Sequence, residues 1–387
     1  MSAFPTEPAP SGTYEILAEA GFNDALFNPR QHRGCELVDQ YAVHVAIDLL
    51  HELGLAPLLA EPRDVDALLA ARGFVPTFRP ALAWLLAWLT TSGVLAEHAG
   101  RWRLVGPTPA TDRPGLRAAG LENDPSYAPA YALLDEAAAI YPRVARAEVS
   151  GERALFQKVS LWASYFDNAH GYYALNNRVA AHGAAACVGD GATIVEIGAG
   201  LGSATQALLD ALGERAGRIA GYRFTEPVPF FRRRAERTLT TAHPALPITF
   251  GALDLNAPWA EQGVGAGSAT LVWGVNVFHL ARDLRQTLGE ARTALAPGGW
   301  LVVGEGIRPQ RGRPVAPELP FQLLEAFSDV SLDPETRSAP GFLTAEEWRA
   351  ALERSGFVDV RFVPDVRRLC ALAPRFHAAA VCGRRGV

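Results

Sequence analysis

GATIVEIGAGLGSATQALLDAL, residues 191–212, reads as three pieces in immediate succession. A short β-branched run, TIVEI, has the composition of a buried strand. GAGLG follows, and then SATQALLDAL, with apolar residues at helical spacing. Gly198, Gly200 and Gly202 allow a tight turn and let the backbone come close to a ligand at a helix N-terminus. The spacing is GxGxG with Ser203 next, so the last glycine of a dinucleotide fingerprint is absent. Glu196 ends the strand two residues before the first glycine. A carboxylate there repels a pyrophosphate and suits a ligand carrying an ammonium or sulfonium charge.

Downstream, strands and helices alternate to the C-terminus, which predicts a doubly wound parallel sheet. The second strand, IAGYRFTEP, ends in Glu226, an acid able to accept both hydroxyls of a ribose. The third, PITFGALDL, ends in Asp254, which could accept an exocyclic adenine amine while Leu255 packs against the ring. The fourth, ATLVWGV, runs into GVNVFHLARD, residues 274–283, and places Asn276 and His279 where a buried strand leaves the core. The fifth, WLVVGEG, carries Glu305. Any one of these acids alone reads as a cap or a solvated loop residue. Several at successive strand carboxyl ends mark a ligand site, because open α/β sheets bind ligands there.

Upstream, residues 31–110 hold three helical patterns and a hairpin. ELVDQYAVHVAIDLLHELGL stops at Gly54; DVDALLAARG starts at Asp64 or Asp66; RPALAWLLAWLTTSG stops at Gly93; and VLAEHAGRWRLV turns at Ala99–Gly100. This is a winged-helix-like pattern. A DNA reader needs clustered Lys and Arg on the third helix and wing, and Arg101 and Arg103 stand alone there. The apolar third helix predicts burial against a partner chain, hence a homodimer. Residues 1–30 read as a disordered leader. Residues 111–185 read as a Pro- and Gly-rich linker followed by a helical lid, in which LWASYFDNAHGYYALNN concentrates aromatic and amide side chains. Residues 186–387 form the sheet domain. A second lid, 307–343, is Pro-rich, and its Arg308, Arg311 and Arg313 read as solvated.

Hydrophobic residues make up 49 % of the 387-residue chain and charged residues 20 %, with a formal charge of −5, which excludes disorder and argues against nucleic-acid or membrane partners. No apolar run reaches membrane-spanning length, and residues 1–12 lack a signal pattern. Cys35, Cys187, Cys370 and Cys382 lie far apart, which predicts no metal site or disulfide and fits a cytoplasmic location.

VEIGAGLG, Glu226, Leu253–Asp254 and LAPGGWLVVGE together resemble class I S-adenosylmethionine (SAM) methyltransferases over residues 185–375. The resemblance implies a seven-stranded doubly wound Rossmann-like sheet whose last pair, FVDVRFVPD and LCALAP, forms a hairpin edge. It also implies SAM as cofactor, with Glu196 at its methionine end, Glu226 at the ribose and Asp254 at the adenine. The N-terminal half resembles the dimerisation domain of small-molecule O-methyltransferases. NVFHLARDLRQTL followed by LAPGGWLVVGE resembles the carbon-methylating domains of polyketide synthases, which use a His–Glu dyad to deprotonate carbon beside a thioester carbonyl. His279 and Glu305 fall on the matching positions, whereas the second strand ends in Thr225–Glu226 where that group commonly has Thr-Asp.

The expected enzyme is therefore a SAM-dependent methyltransferase of secondary metabolism, acting on an activated carbon of a small carbonyl or carboxylic substrate, free or carrier-bound. Asn276 stands at the cofactor's rim. Tyr165, Phe166, Tyr172, Tyr173 and Asn176 are candidates for a substrate or sulfonium cage, since aromatic faces attract cations. Three other readings remain open: a hydroxyl or amine acceptor served by the same His279; SAM itself cyclised to azetidine-2-carboxylate with release of methylthioadenosine; and a regulator that only senses SAM.

Overall fold

A computed structural model describes residues 4–169 and 171–387; residues 1–3 of the expected leader and His170 of the aromatic stretch lie outside the described residues. The N-terminal part is organised on a long helix, Pro29–Glu52. Asn28 starts it by accepting the Gln31 N–H at 2.9 Å, and Gly54 ends it at a left-handed φ of 65°. It begins at Pro29, ahead of Glu36 where the apolar spacing starts. Asp64 caps helix Val65–Arg72 through the Ala67 N–H at 2.8 Å. Helix Arg79–Thr91 leads into β1 (Leu95–His98) and β2 (Arg101–Leu104). These pair antiparallel through a two-residue turn in which Ala99 and Gly100 both have positive φ, 50° and 73°.

Helix Arg79–Thr91 departs from the sequence expectation. Leu82, Leu85, Leu86 and Leu89 are fully buried, each stabilising the fold by about 1.5–3 kcal/mol. They lie in one cluster with residues of Pro29–Glu52, of helix Ala128–Ala145 and of the segment 316–327. The apolar face expected to dock a second chain is covered by this chain itself, so it gives no ground for a dimer. The expected leader is folded from residue 4 onward. Helix Thr13–Glu19 buries Ile16 and Leu17, and these pack with Phe22, Val179 and Leu369. The Pro-rich linker contains helix Arg113–Asn123, where Asp112 caps the Gly115 N–H at 2.9 Å and Pro114 occupies the first turn, the one place a helix tolerates it.

The remaining strands are β3 (Thr193–Glu196), β4 (Gly221–Thr225), β5 (Ile248–Gly251), β6 (Ala269–Val275), β7 (Leu295–Arg308), β8 (Leu343–Thr344), β9 (Phe357–Val363) and β10 (His377–Arg385). They form one sheet in the order β5-β4-β3-β6-β7-β10-β9, with β8 on the end of β7. β10 is antiparallel to both its neighbours, and the other pairings are parallel. Apolar clusters cover both faces, as a parallel sheet requires. Chain order reverses between β3 and β6, so their carboxyl ends open the crevice where such sheets take ligands.

The doubly wound sheet is as expected except at its edge. LCALAP is not a strand: Asp365 caps the Arg368 N–H at 3.2 Å and starts helix Val366–Leu372. The last strand is HAAAVCGRR, and the two-residue β8 makes the sheet eight-stranded. Among the described residues no helix is long and apolar enough to cross a membrane.

Candidate active site

A cavity of about 380 Å³ opens at the carboxyl ends of β3, β4 and β6. The glycine turn shapes its floor. Gly198 and Gly200 line it at φ of 59° and 57°, and a Cβ on Gly198 would stand 2.5 Å from the Val277 side chain. Gly202 differs. It lies outside the lining, takes φ 85° at the start of helix Ser203–Leu212, and packs close to Leu239. Its function is to let the turn enter the helix rather than to meet a ligand.

Glu196 lines the cavity but is fully buried. Its Oε2 accepts from the Thr205 hydroxyl at 2.6 Å and the Tyr222 hydroxyl at 2.5 Å, while Oε1 has no partner among the described residues. Burial pushes this carboxyl up to about 7, against the two hydroxyls that hold it down. Glu226, at the end of β4, accepts the Gly200 N–H on Oε2 at 2.9 Å and the Val228 N–H on Oε1 at 2.8 Å. Burial raises it too, and those two amides and Arg232 oppose the shift. Each Glu226 oxygen keeps a lone pair for a ligand hydroxyl. Asp254 is exposed at the rim, with Oδ1 on the Asn256 N–H at 2.9 Å, and Leu255 beside it is half-buried.

These features fit the cofactor the sequence implies. An unpartnered buried carboxylate oxygen, two left-handed glycines, of which Gly198 has room only for backbone, and an acid at each of the next two strand ends match a charged nucleoside.

The next positions along the sheet bring the expected dyad together. β6 and β7 pair until Val275↔Gly304, and the Asn276 N–H donates to the Gly304 carbonyl at 2.8 Å. Asn276 then takes φ 53°, turning the chain over the end of β7 into a short 3-10 turn, Phe278–Leu280. Glu305 is the next residue of β7. Its Oε2 lies 2.7 Å from His279 Nδ1, and its Oε1 accepts the His279 backbone N–H at 3.3 Å. Both are buried, His279 at 4 % exposure and Glu305 at 0 %, and only His279 lines the cavity. Nε2 of His279 has no partner among the described residues. With Glu305 accepting at Nδ1, the lone pair is on Nε2. The ring also rests 4.6 Å from the Phe342 ring.

The aromatic stretch forms the opposite wall. Tyr165, Phe166, Tyr172, Tyr173 and Asn176 all line the cavity. Tyr173 meets Tyr165 at 5.3 Å and Phe166 at 4.9 Å between ring centres. Burial lifts the Tyr173 phenol to about 12, so it stays neutral. Asn176 donates to Asn276 Oδ1 at 2.5 Å, tying this wall to the His279 turn. Asn177 donates to Asn168, which donates to the Ser203 carbonyl, anchoring the wall to the helix after the glycine turn.

Trp162, within the aromatic stretch, and Phe321 and Phe342, within the second lid, also line the cavity although sequence reading did not single them out. It missed Phe231, Phe376 and Asp39, the last from helix Pro29–Glu52, and no local pattern marks these three, because they come from distant segments. Arg308 is corrected. It is buried rather than solvated, ion-paired to Glu318 and donating to the Pro340 carbonyl at 2.7 Å. Glu318 also accepts from Trp84 Nε1 at 2.8 Å and the Phe342 N–H at 3.2 Å, fixing the second lid to the N-terminal helices. A further cation, Arg337, is buried beneath the turn and donates to the His279 and Ala281 carbonyls.

Residues 195–301 match the methyltransferase domain family. Among curated proteins the chain is 29 % identical over 308 residues to polyketide synthase ThaG of Burkholderia thailandensis, covering 77 % of this chain. The chain spans only about 5 % of that relative's length. Among solved structures, the CurJ carbon methyltransferase superposes with a TM-score of 0.80 at 23 % identity, covering 97 % of this chain and 96 % of that one. Trans-methyltransferase CalH, solved with S-adenosylhomocysteine, gives a TM-score of 0.64 at 21 % identity over 90 % of each chain. With the glycine turn, the acids at successive strand ends and the sheet order in place, residues 195–301 form a methyltransferase domain and the chain has the fold of the polyketide-synthase carbon-methylating domains.

Proposed function

We propose that the enzyme methylates an activated carbon beside a carbonyl, with His279 as the base and Glu305 as the group that orients it. The observation that carries this reading is the 2.7 Å contact between His279 Nδ1 and Glu305 Oε2, with His279 lining the cavity and its Nε2 without a partner among the described residues. The names of the relatives, polyketide synthase and carbon methyltransferase, support a carbon acceptor.

SAM supplies an activated methyl group when bound. The chain's residues do the rest. Gly198 and Gly200 offer backbone to the ligand, Glu196 Oε1 faces its ammonium end, Glu226 the ribose hydroxyls, and Asp254 with Leu255 the adenine. Asn276, held by Asn176, marks the rim between cofactor and acceptor. His279 Nε2 takes the proton from the acceptor carbon. The resulting imidazolium is stabilised through Nδ1 by the Glu305 carboxylate, whose second oxygen stays on the His279 N–H. Proton removal by a positioned base is worth about 10²–10⁴ in rate. The aromatic wall and the lid residues Phe321 and Phe342 exclude water, so the dyad acts in a low dielectric. Residues 186–387 make up the catalytic unit, with 31–110 and 111–185 as helical cover, and the acceptor is small, free or carrier-bound.

Incubation with methyl-labelled SAM and a 3-oxoacyl thioester tests the reading. S-adenosylhomocysteine together with a carbon-methylated thioester supports it. A methyl group on oxygen or nitrogen, or methylthioadenosine formed without acceptor, overturns it.

A further inference from the structure

The roles proposed above use every charged residue that lines the cavity except one. Glu196, Glu226 and Asp254 face the cofactor, and His279 faces the acceptor carbon. Asp39 remains, from the middle of helix Pro29–Glu52. It lines the same cavity from a helix rather than from a strand end, together with Cys35, one helical turn earlier, and Tyr172. No hydrogen bond or ion pair engages the Asp39 carboxylate among the described residues. Burial pushes it up to about 7. Asp39 is half-buried at the cavity wall, where a ligand cation can supply the partner that the described residues do not.

The sign of the cavity sharpens this. No Lys or Arg lines it among the described residues. Arg375 is close enough to Cys35 to lower its thiol, but it is ion-paired with Glu7 and Glu36 and lies outside the lining. Among the described residues no Lys or Arg of the wall neutralises Asp39 or offers a salt bridge to an anionic group. We infer that Asp39 is an acceptor-binding residue that selects substrates whose tail, remote from the reacting carbon, carries an ammonium group, and that carboxylate-tailed acceptors are rejected. This deepens the carbon-methylation reading and rests on it for the position of the reacting carbon. It also narrows the sequence expectation of a carboxylic substrate: an acid is accommodated only if its charge is masked, as in a thioester.

The test uses three 3-oxoacyl thioesters, identical except that the acyl tail ends in methyl, ammonium or carboxylate. The wild-type enzyme is expected to show kcat/KM about tenfold or more higher for ammonium than for methyl, with carboxylate lowest, since hydrogen bonds between charged partners are the strong ones. Asp39→Asn keeps shape and hydrogen-bonding capacity. It should erase the ammonium advantage, leave the methyl-tailed acceptor within about threefold, and leave SAM affinity unchanged, as the charge is lost and the wall retained. Melting temperature checks that the variant is folded, and Asp39→Ser provides a second variant if it is not. Calorimetry with 2,2-dimethyl analogues, which have no hydrogen on the carbon between the two carbonyls, reads tail binding without methylation at that carbon. Equal affinity for the three tails, or a preference that survives in Asp39→Asn, overturns the Asp39 assignment. Ammonium-selective binding with no carbon methylation overturns the reaction assignment alone.

Discussion

Replacing Glu305 by Gln keeps the size of the side chain and one acceptor oxygen but removes the charge facing His279. The wild-type carboxylate takes two hydrogen bonds from His279, at Nδ1 and at the backbone N–H, and the amide can accept only one of them with its oxygen. A hydrogen bond to a charged group is worth about 1.5–3 kcal/mol and a neutral one about 0.5–1.5, so losing the charge costs about 1–2 kcal/mol from that difference alone. Both partners are nearly inaccessible, with side-chain exposures of 5 % and 0 %, so screening is slight. Coulomb attraction at an effective dielectric near 20 sets an upper figure of about 4 kcal/mol once His279 is protonated. The expected loss in kcat is thus about 5-fold to 10³-fold, at 1.36 kcal/mol per tenfold. His279→Ala should lose about 10²–10⁴.

The assay is single-turnover methyl transfer at saturating SAM, with the SAM dissociation constant and melting temperature measured on each protein. Glu305 acts through His279, so adding Glu305→Gln to His279→Ala should cost little more. Two results refute the reasoning: a Glu305→Gln rate within about twofold of wild type, or an equal cost of the substitution with and without His279.

Further outcomes follow from the cofactor floor and the lid. With Glu196 in its proposed place at the ammonium end of SAM, its raised carboxyl should make SAM binding pH-dependent. A carboxyl at about 7 in the folded state holds its proton from the ordinary carboxylate range up to 7, so SAM affinity should rise as pH increases through 7. Because the folded state binds the extra proton, melting of the ligand-free enzyme should move to lower temperature across the same interval. Glu196→Gln should flatten both profiles, measured by calorimetry and thermal melts. Gly198→Ala places a Cβ 2.5 Å from Val277 on a residue at φ 59°, at a cost of about 1–2 kcal/mol for the backbone alone, and should weaken SAM binding at least tenfold by calorimetry. Glu318→Gln leaves buried Arg308 without a counter-charge and weakens the bond to Trp84; a loss of about 3–5 kcal/mol in urea unfolding is expected, together with a raised acceptor KM as the lid loosens.

Legibility along the chain followed the range of the interactions that decide each feature. The strand–glycine–helix unit at 191–212, the acids at successive strand ends and the positions of His279 and Glu305 were readable, because strand periodicity and turn chemistry are local. A parallel sheet then brings neighbouring strand ends together without further information. The edge of the sheet was not readable. LCALAP and HAAAVCGRR are both apolar enough to be strands, and the Asp365 cap together with pairing to β7 decides between them. Nor was the fate of helix Arg79–Thr91: an apolar face shows that something covers it, and only packing shows that residues 29–52, 128–145 and 316–327 do. The same holds for Thr13–Glu19, where the cover comes from Val179 and Leu369.

The sequence by itself determined the strand–glycine–helix unit and the placing of Glu196, Glu226, His279 and Glu305 at strand ends, since each depends on residue spacing within one βα unit or between adjacent ones. The tertiary structure alone decided how Asp39, Phe231 and Phe376 join the two lids in the wall of the cavity, meeting from across the chain. It likewise turned Arg308 from a solvated residue into a buried one, because Glu318 and the Pro340 carbonyl are brought to it only by the fold. Contacts between distant segments leave no periodic trace in sequence.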